Sequence, residues 1–383
     1  MSALTADEVR EIRSYFPIFR RKVYVSSCSQ GALSVQVEAA LQEFQSAWHE
    51  FGTPWNRWIE KYEEARAAFA QFIGASPDEI AITSSASAGV NALASALDFR
   101  VRRKVVMGEF EFPTMGHIWL AQQPRGAEVR FLKAESEQLP LRAYAAEVDS
   151  ETALVPVTGI CFTNGFRAAV SDIAQLAHRH GAMALLDDYQ DAGTRPIEVS
   201  KLDVDFYVTG ALKYLLGPSG IAFLYVRREL IAQLTPTTSG WFAQQQPFAF
   251  DAQHLDLSPT ARRFQHGTPP IPNVYAALAG IRLLAEIGPE RIAGHVATLA
   301  QACLSRAREL GIATKTPADS VGPLVVLRCR DADGMVQRLA EMDIIASSRR
   351  DGLRLSWHCY NSQDDVSRVM EAVAANIDEM IRQ

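Results

Sequence analysis

Asp205-Phe-Tyr-Val-Thr-Gly-Ala-Leu-Lys213-Tyr-Leu-Leu-Gly-Pro-Ser-Gly220-Ile-Ala-Phe-Leu-Tyr-Val226 sets two apolar, strand-like runs on either side of a Gly/Pro-rich turn. One lysine, Lys213, stands at the mouth of that turn, with apolar neighbours and little competing charge. Such surroundings lower a lysine's pKa and make its amine nucleophilic. Upstream, a second apolar run, Ala182-Met-Ala-Leu-Leu186, ends in Asp187. Most runs of this kind are too short for helices, and several are apolar without alternation. They read as strands buried on both faces of a mainly parallel sheet.

More such runs lie at residues 79–83, 104–107, 128–131 and 153–157. Helical patterns alternate with them. Residues 55–73 place Trp58, Tyr62, Ala65, Phe69 and Phe72 on one face, and residues 171–180 carry Ile173, Leu176 and Ala177 as a stripe. Alternating β and α elements predict an open α/β sheet that binds its ligand at the carboxyl ends of the strands. After Val226 the character changes. Residues 235–273 read as extended loop, and helices are expected at 272–286 and 289–310. Strands follow at Leu324-Val-Val-Leu327 and Leu353-Arg-Leu-Ser356, with a helix at 333–341 and a last one from Asp364. The expected organisation is a large domain over 21–262 and a smaller α+β domain formed by 1–20 with 263–383.

The chain has 383 residues, 48% hydrophobic and 21% charged, with a net charge of −6. That acidic balance argues against a nucleic-acid or membrane-surface role. No apolar run reaches the ~18 residues of a spanning helix. The opening Met1-Ser-Ala-Leu-Thr-Ala-Asp-Glu-Val has neither the basic nor the apolar region of a secretory signal. The five cysteines are widely spaced and form no Cys-x-x-Cys. Reduced thiols in a cytoplasmic protein are the simplest reading. The histidines give no metal-ligand set, since His178 and His180 lie two apart on one helix and face different ways.

Chemistry gathers at the strand ends. After the run 79–83 comes Ser84-Ser85-Ala86-Ser87-Ala88-Gly89, which opens a helix and suits an anion such as phosphate. After 104–107 comes Glu109-Phe-Glu-Phe112-Pro113-Thr114, whose aromatic can stack on a flat heteroaromatic ring. After 153–157 come Thr158, Phe162 and Asn164; after Leu186 come Asp187, Asp188 and Gln190. Each feature has a plainer reading: an N-cap, a loop-anchoring aromatic, a turn cap. Together they place a phosphate cradle, a ring stacker, a carboxylate and a lysine at successive ends of one sheet. A lysine able to form an imine and an aspartate able to pair with a ring nitrogen are what pyridoxal phosphate (PLP) requires.

These segments resemble the class V aminotransferase family of fold-type I PLP enzymes. That family includes cysteine desulfurases, kynureninase and isopenicillin N epimerase-like proteins. The similarity runs from Val23 to Asn361. It is most specific in Asp187-Asp-Tyr-Gln190-Asp-Ala-Gly193, in residues 205–220, in Arg263-Phe-Gln-His-Gly267-Thr268-Pro269 and in Leu353-Arg354-Leu-Ser-Trp-His-Cys-Tyr360-Asn361. The resemblance implies a seven-stranded, mainly parallel sheet with a smaller α+β domain. It implies Lys213 as the Schiff-base lysine and Asp187 as the partner of the pyridine nitrogen. Gln190 and Thr158 would lie near the ring, Phe112 would stack on it, and Ser85, Ala86, Ser87 and Thr209 would serve the phosphate. Gly267 and Thr268 match a segment that reaches the neighbouring subunit's phosphate, which implies a homodimer. Arg354 matches the arginine that takes the substrate α-carboxylate.

Departures narrow the implication. The family's lysine motif often reads Ser-x-His-Lys, where this chain has Gly210-Ala211-Leu212-Lys213. Desulfurases insert a loop carrying a nucleophilic cysteine before the carboxylate arginine, whereas Ala346-Ser-Ser-Arg-Arg-Asp-Gly352 runs straight to Arg354. Cys359 reads as a packing residue. His254, His266, His358, Tyr214 and the segment Trp48/Trp55/Arg57/Trp58 could edge the site or simply pack. Residues 239–246, with Trp241, read as a lid. The expected activity is a transaminase or β-lyase acting on a small-molecule α-amino acid. Racemisation or epimerisation, cysteine desulfuration and a catalytically silent relative stand as alternatives. No nucleic-acid or membrane partner is expected.

Overall fold

The computed structural model describes residues 3–382. A seven-stranded sheet forms its centre. Before it, in chain order, comes the short strand β1 (Val23–Tyr24). The sheet's own strands are β2 (Ile80–Thr83), β3 (Lys104–Gly108), β4 (Glu128–Leu132), β5 (Thr152–Thr158), β6 (Met183–Asp187), β7 (Phe206–Gly210) and β8 (Ala222–Val226). They lie in the order β2-β8-β7-β6-β5-β3-β4. β8 runs antiparallel to both of its neighbours, and the other pairs are parallel. The mainly parallel α/β sheet expected from the sequence is therefore present.

The apolar runs are continuous because both faces of the sheet are covered. Along β7, Phe206 and Val208 join one core cluster while Tyr207 joins the other, and Phe223 and Leu224 split the same way on β8. The helix Trp55–Phe72 packs on one face and buries Tyr62, Ala65, Phe69 and Phe72. There Phe69 stacks on Phe223 with ring centroids 4.1 Å apart. Burying an aromatic side chain of this size contributes roughly 2–3 kcal/mol. On the other face Trp119, wholly buried, packs with Leu93, Leu154 and Leu185.

Downstream of the sheet, β9 (Leu324–Arg328), β10 (Ile344–Ile345), β11 (Ser347–Arg349) and β12 (Gly352–Ser356) follow. β11, β12 and β9 form an antiparallel sheet, while β10 pairs in parallel with β1. Helices Pro289–Glu309, Ala332–Glu341 and Gln363–Ala375 belong to this part of the chain. The helix Ala6–Ser14 is held to it by Arg13, which pairs with buried Asp365 at 2.6 Å. Residues expected to form an extended loop contain short turns at Trp241–Ala243, Pro247–Ala249 and Ala261–Phe264. Aromatic clustering joins the first two: Trp241 packs edge-on against Trp55 and Phe248 and stacks with Phe250. No helix among the described residues is long and apolar enough to cross a membrane.

Candidate active site

Strand register brings the candidate residues to one edge. Thr158 is level with Asp187, while Thr83 and Gly210 both pair with Ala222. A cavity of about 270 Å³ opens there. Ser85, Ala86 and Ser87 line one part of it, Thr158, Asp187 and Gln190 another, and Phe112 and Lys213 a third.

Ser85 caps the helix Ala86–Ala96, accepting a hydrogen bond from the Ala88 N–H at 3.0 Å. Ser87 and Thr114 hydroxyls are 3.1 Å apart, which joins this turn to the start of the helix Pro113–Leu120. Two helix N-termini therefore border the cavity, each presenting N–H groups and positive dipole ends to an anion. Phe112 caps the second helix and meets Phe162 edge-on at 5.1 Å.

Asp187 is buried and accepts a hydrogen bond from the Tyr189 N–H at 3.1 Å. Burial pushes its carboxyl above the ordinary value, partly offset by that N–H and by Lys213. Asp188, the adjacent acid, turns away from the cavity. It accepts from Tyr207 at 3.0 Å and lies beside buried Asp191, which pairs with the half-buried Arg167 and Arg195. Burial opposes ionisation of Asp191, but the two guanidiniums hold it below the usual carboxylate range. The two neighbouring acids thus divide between ligand cavity and scaffold.

Lys213 is half-buried at the mouth of the turn. Burial brings its amine down to about 8, although Cys28 and Asp187 pull the other way. The turn is fixed from outside: the Gly31 N–H donates to Leu212 O at 2.9 Å. A side chain at Gly31 would come within 2.3 Å of the Lys213 carbonyl. His358, buried and neutral with its pKa brought down to about 4, hydrogen-bonds Tyr214 O at 2.8 Å.

Gln190 donates to Cys28 O at 3.2 Å, and its Oε1 has no hydrogen-bond partner among the described residues. Arg354, on β12, is 1% exposed. It donates to Ser29 Oγ at 2.8 Å and to Phe162 O at 3.1 Å, leaves Nε without a partner, and meets no carboxylate among the described residues. A buried cation lacking a carboxylate is expensive unless an anion completes it. Beside it, burial raises the Cys28 thiol, yet Arg354 and hydroxyl contacts bring it below its ordinary value.

Thr209 lies buried within β7 and donates to Gly210 O at 3.3 Å, away from the cavity lining. Gly267 and Thr268 are exposed and do not line this cavity. Residues not singled out from sequence also belong here. Tyr189 lines the cavity. Glu111 is buried, accepts from the Thr158 N–H at 2.7 Å, and leaves Oε2 without a partner. Only its position between Phe110 and Phe112 hinted that an acid there is buried.

The family model "Aminotransferase class-V" matches residues 32–369. The chain belongs to the class V aminotransferase family. It is 35% identical over 366 residues to the protein named uncharacterized aminotransferase YcbU of Bacillus subtilis (strain 168), covering 95% of this chain and 97% of that protein. It is 26% identical over 301 residues to a kynureninase of Bacillus mycoides, covering 75% and 70% respectively. Its fold superposes on a cysteine desulfurase from Thermococcus onnurineus NA1 with a TM-score of 0.88 at 23% identity, over 99% of this chain and 100% of that one.

For this class V family member, PLP is the group to test against the residues present, and they fit it. The cavity has a hydroxyl-lined double helix start for a phosphate and a buried carboxylate for a ring nitrogen. It also has an amine with a depressed pKa, and an unpaired Gln190 Oε1 on its border.

Proposed function

We propose that this protein is a PLP-dependent enzyme acting on an α-amino acid, as a transaminase or β-lyase. One observation carries the reading: the Lys213 amine, the Asp187 carboxylate and the Ser85–Ser87 turn share a single cavity. Lys213 would hold the cofactor covalently, Asp187 its ring nitrogen, Gln190 the ring edge, and Ser85, Ala86 and Ser87 its phosphate. When bound, PLP supplies an electron sink for the negative charge that develops at the substrate's α-carbon. Arg354 takes the substrate carboxylate in a two-pronged contact, which orients the α-carbon. Lys213 Nζ, its pKa brought down to about 8, is suited to remove and return the α-proton. The enzyme works as a homodimer in which Thr268 of each subunit serves the other's phosphate.

Sulfur transfer through a protein persulfide fits poorly. Cys359 is fully buried, and burial pushes its thiol far up. Only the short β11–β12 hairpin precedes Arg354.

The test is a mixture of holoenzyme with an amino-acid panel. A 2-oxo acid with conversion of the cofactor to its pyridoxamine form identifies a transaminase. Pyruvate, ammonia or alanine with the cofactor unchanged identifies a lyase. Lost optical activity at constant composition identifies a racemase instead. A purified protein that stays colourless and takes up no PLP overturns the proposal.

A further inference from the structure

Tyr189 lies between two residues already assigned to the site, yet its side chain does something neither does. Its backbone leaves the end of β6 after Asp187, and its ring crosses over the end of the neighbouring strand β7. The hydroxyl rests on Gly210. A Cβ built on that glycine would lie 2.1 Å from Tyr189 Oη, 2.3 Å from Cζ and 2.6 Å from Cε2. No side chain fits at 210 while Tyr189 keeps this place. Gly210 has no positive φ, so close approach, and not backbone freedom, is what demands glycine.

The direction of the ring matters. Asp187 ends β6, Gly210 ends β7, and both Gly210 and Thr83 pair with Ala222 of β8. Adjacent strands are about 4.8 Å apart. The line from Asp187 to the Ser85 turn therefore passes over Gly210, and Tyr189 lies along it. A flat ligand that joins a carboxylate at one end to an anion cradle at the other must follow the same line. Lys213 Nζ sits 4.5 Å from the Tyr189 ring centroid and 5.8 Å from that of Phe112. Two aromatic rings thus border the amine. The Tyr189 hydroxyl makes no hydrogen bond among the described residues and borders a cavity that holds an anion cradle.

We propose that Tyr189 is a cofactor-positioning residue: its ring is a second aromatic wall for the bound pyridine ring, and its hydroxyl donates to the phosphate from the place that a side chain at 210 would fill. The proposal rests on the PLP reading. It also makes positions 189 and 210 a coupled pair, since one residue supplies the hydroxyl and the other must leave room for it.

The test measures PLP binding to apoenzyme by fluorescence quenching, together with the position of the visible absorbance band. Tyr189→Phe keeps the ring and loses the hydroxyl. It should weaken PLP binding about tenfold or more, as expected for a hydrogen bond to a charged group, and leave the band in place. Tyr189→Ala should weaken it further and shift the band. Gly210→Ser alone should resemble Tyr189→Ala, because the added side chain evicts the ring. The double variant Tyr189→Ala/Gly210→Ser should bind more tightly than either single change, which mere loss of structure would not produce. Wild-type affinity and an unmoved band in both Tyr189 variants would overturn the proposal while leaving the PLP reading intact. A wild-type protein that binds no PLP would overturn both.

Discussion

The backbone N–H of Thr158 donates to the Glu111 carboxylate at 2.7 Å, which ties the loop carrying Phe112 to the strand end beside Asp187. A second buried acid, Glu111, therefore stands close to Asp187 behind the cavity that Asp187 lines. Burial first, and Asp187 second, push Glu111 from its ordinary 4.5 up to about 8.

A carboxyl whose pKa is higher folded than unfolded keeps a proton that the unfolded chain gives up. Its contribution to stability is complete at low pH and is lost as pH rises to about 8. Urea unfolding of apoenzyme from about pH 5 to pH 8 should show wild type losing ground to Glu111→Gln, with a slope approaching 1.4 kcal/mol per pH unit, roughly the value for one proton. Parallel curves for the two proteins would contradict this assignment.

Lys213 gives the opposite pH signature, and it appears in kinetics. Its free amine dominates above about 8. Formation of the visible band when PLP is added to apoenzyme should quicken about tenfold per pH unit below that point and then level off. Lys213→Ala should form no band that borohydride can trap.

Arg354→Gln should separate substrate capture from cofactor capture. Loss of a two-pronged charged contact worth about 3 kcal/mol should raise KM for the amino acid by about 100-fold. The visible band of the resting enzyme should not change. An altered band with normal KM would move Arg354 out of the substrate site.

Asp191→Ala should act on the scaffold. It leaves Arg167 and Arg195 without their buried carboxylate, at a cost of about 3 kcal/mol readable as a shift in the urea midpoint. Asp187→Asn, by contrast, should leave that midpoint within about 1 kcal/mol and impair turnover severely.

Cys359→Ala tests the sulfur-transfer alternative. The side chain is wholly enclosed. Turnover with every accepted amino acid should stay within about twofold of wild type if Cys359 only packs.

How much of this was legible in sequence depended on whether the signal was local. The central strands were readable because both faces of the sheet are covered there, so they are largely unbroken apolar runs, whereas β4 at the edge alternates and is partly exposed. The residues expected at the strand ends were located from that, and most of them line one cavity. The helix Val35–Phe51 gave little signal, because only Val37, Phe44 and Ala47 are buried along it. Tyr189 was visible as a letter, but its placement depends on the missing side chain of Gly210 on the next strand. Glu111 reads as a loop acid until the fold encloses it. The partners of Arg354 could not be read at all, since Ser29 is 325 positions away.

That separation has a consequence for how the protein comes into being. Gly31 grips the lysine turn, Cys28 receives Gln190, Ser26 bridges to Ser356, and Ser29 holds Arg354. Full seating of this segment therefore waits for β12, which carries Arg354 and Ser356. A nascent chain stopped before β12 would contain Lys213 and Gly31 but neither Arg354 nor Ser356, which help to seat residues 26–31. Such a fragment would hold the lysine without its buried cationic neighbour, so the candidate site is assembled only once β12 has joined it.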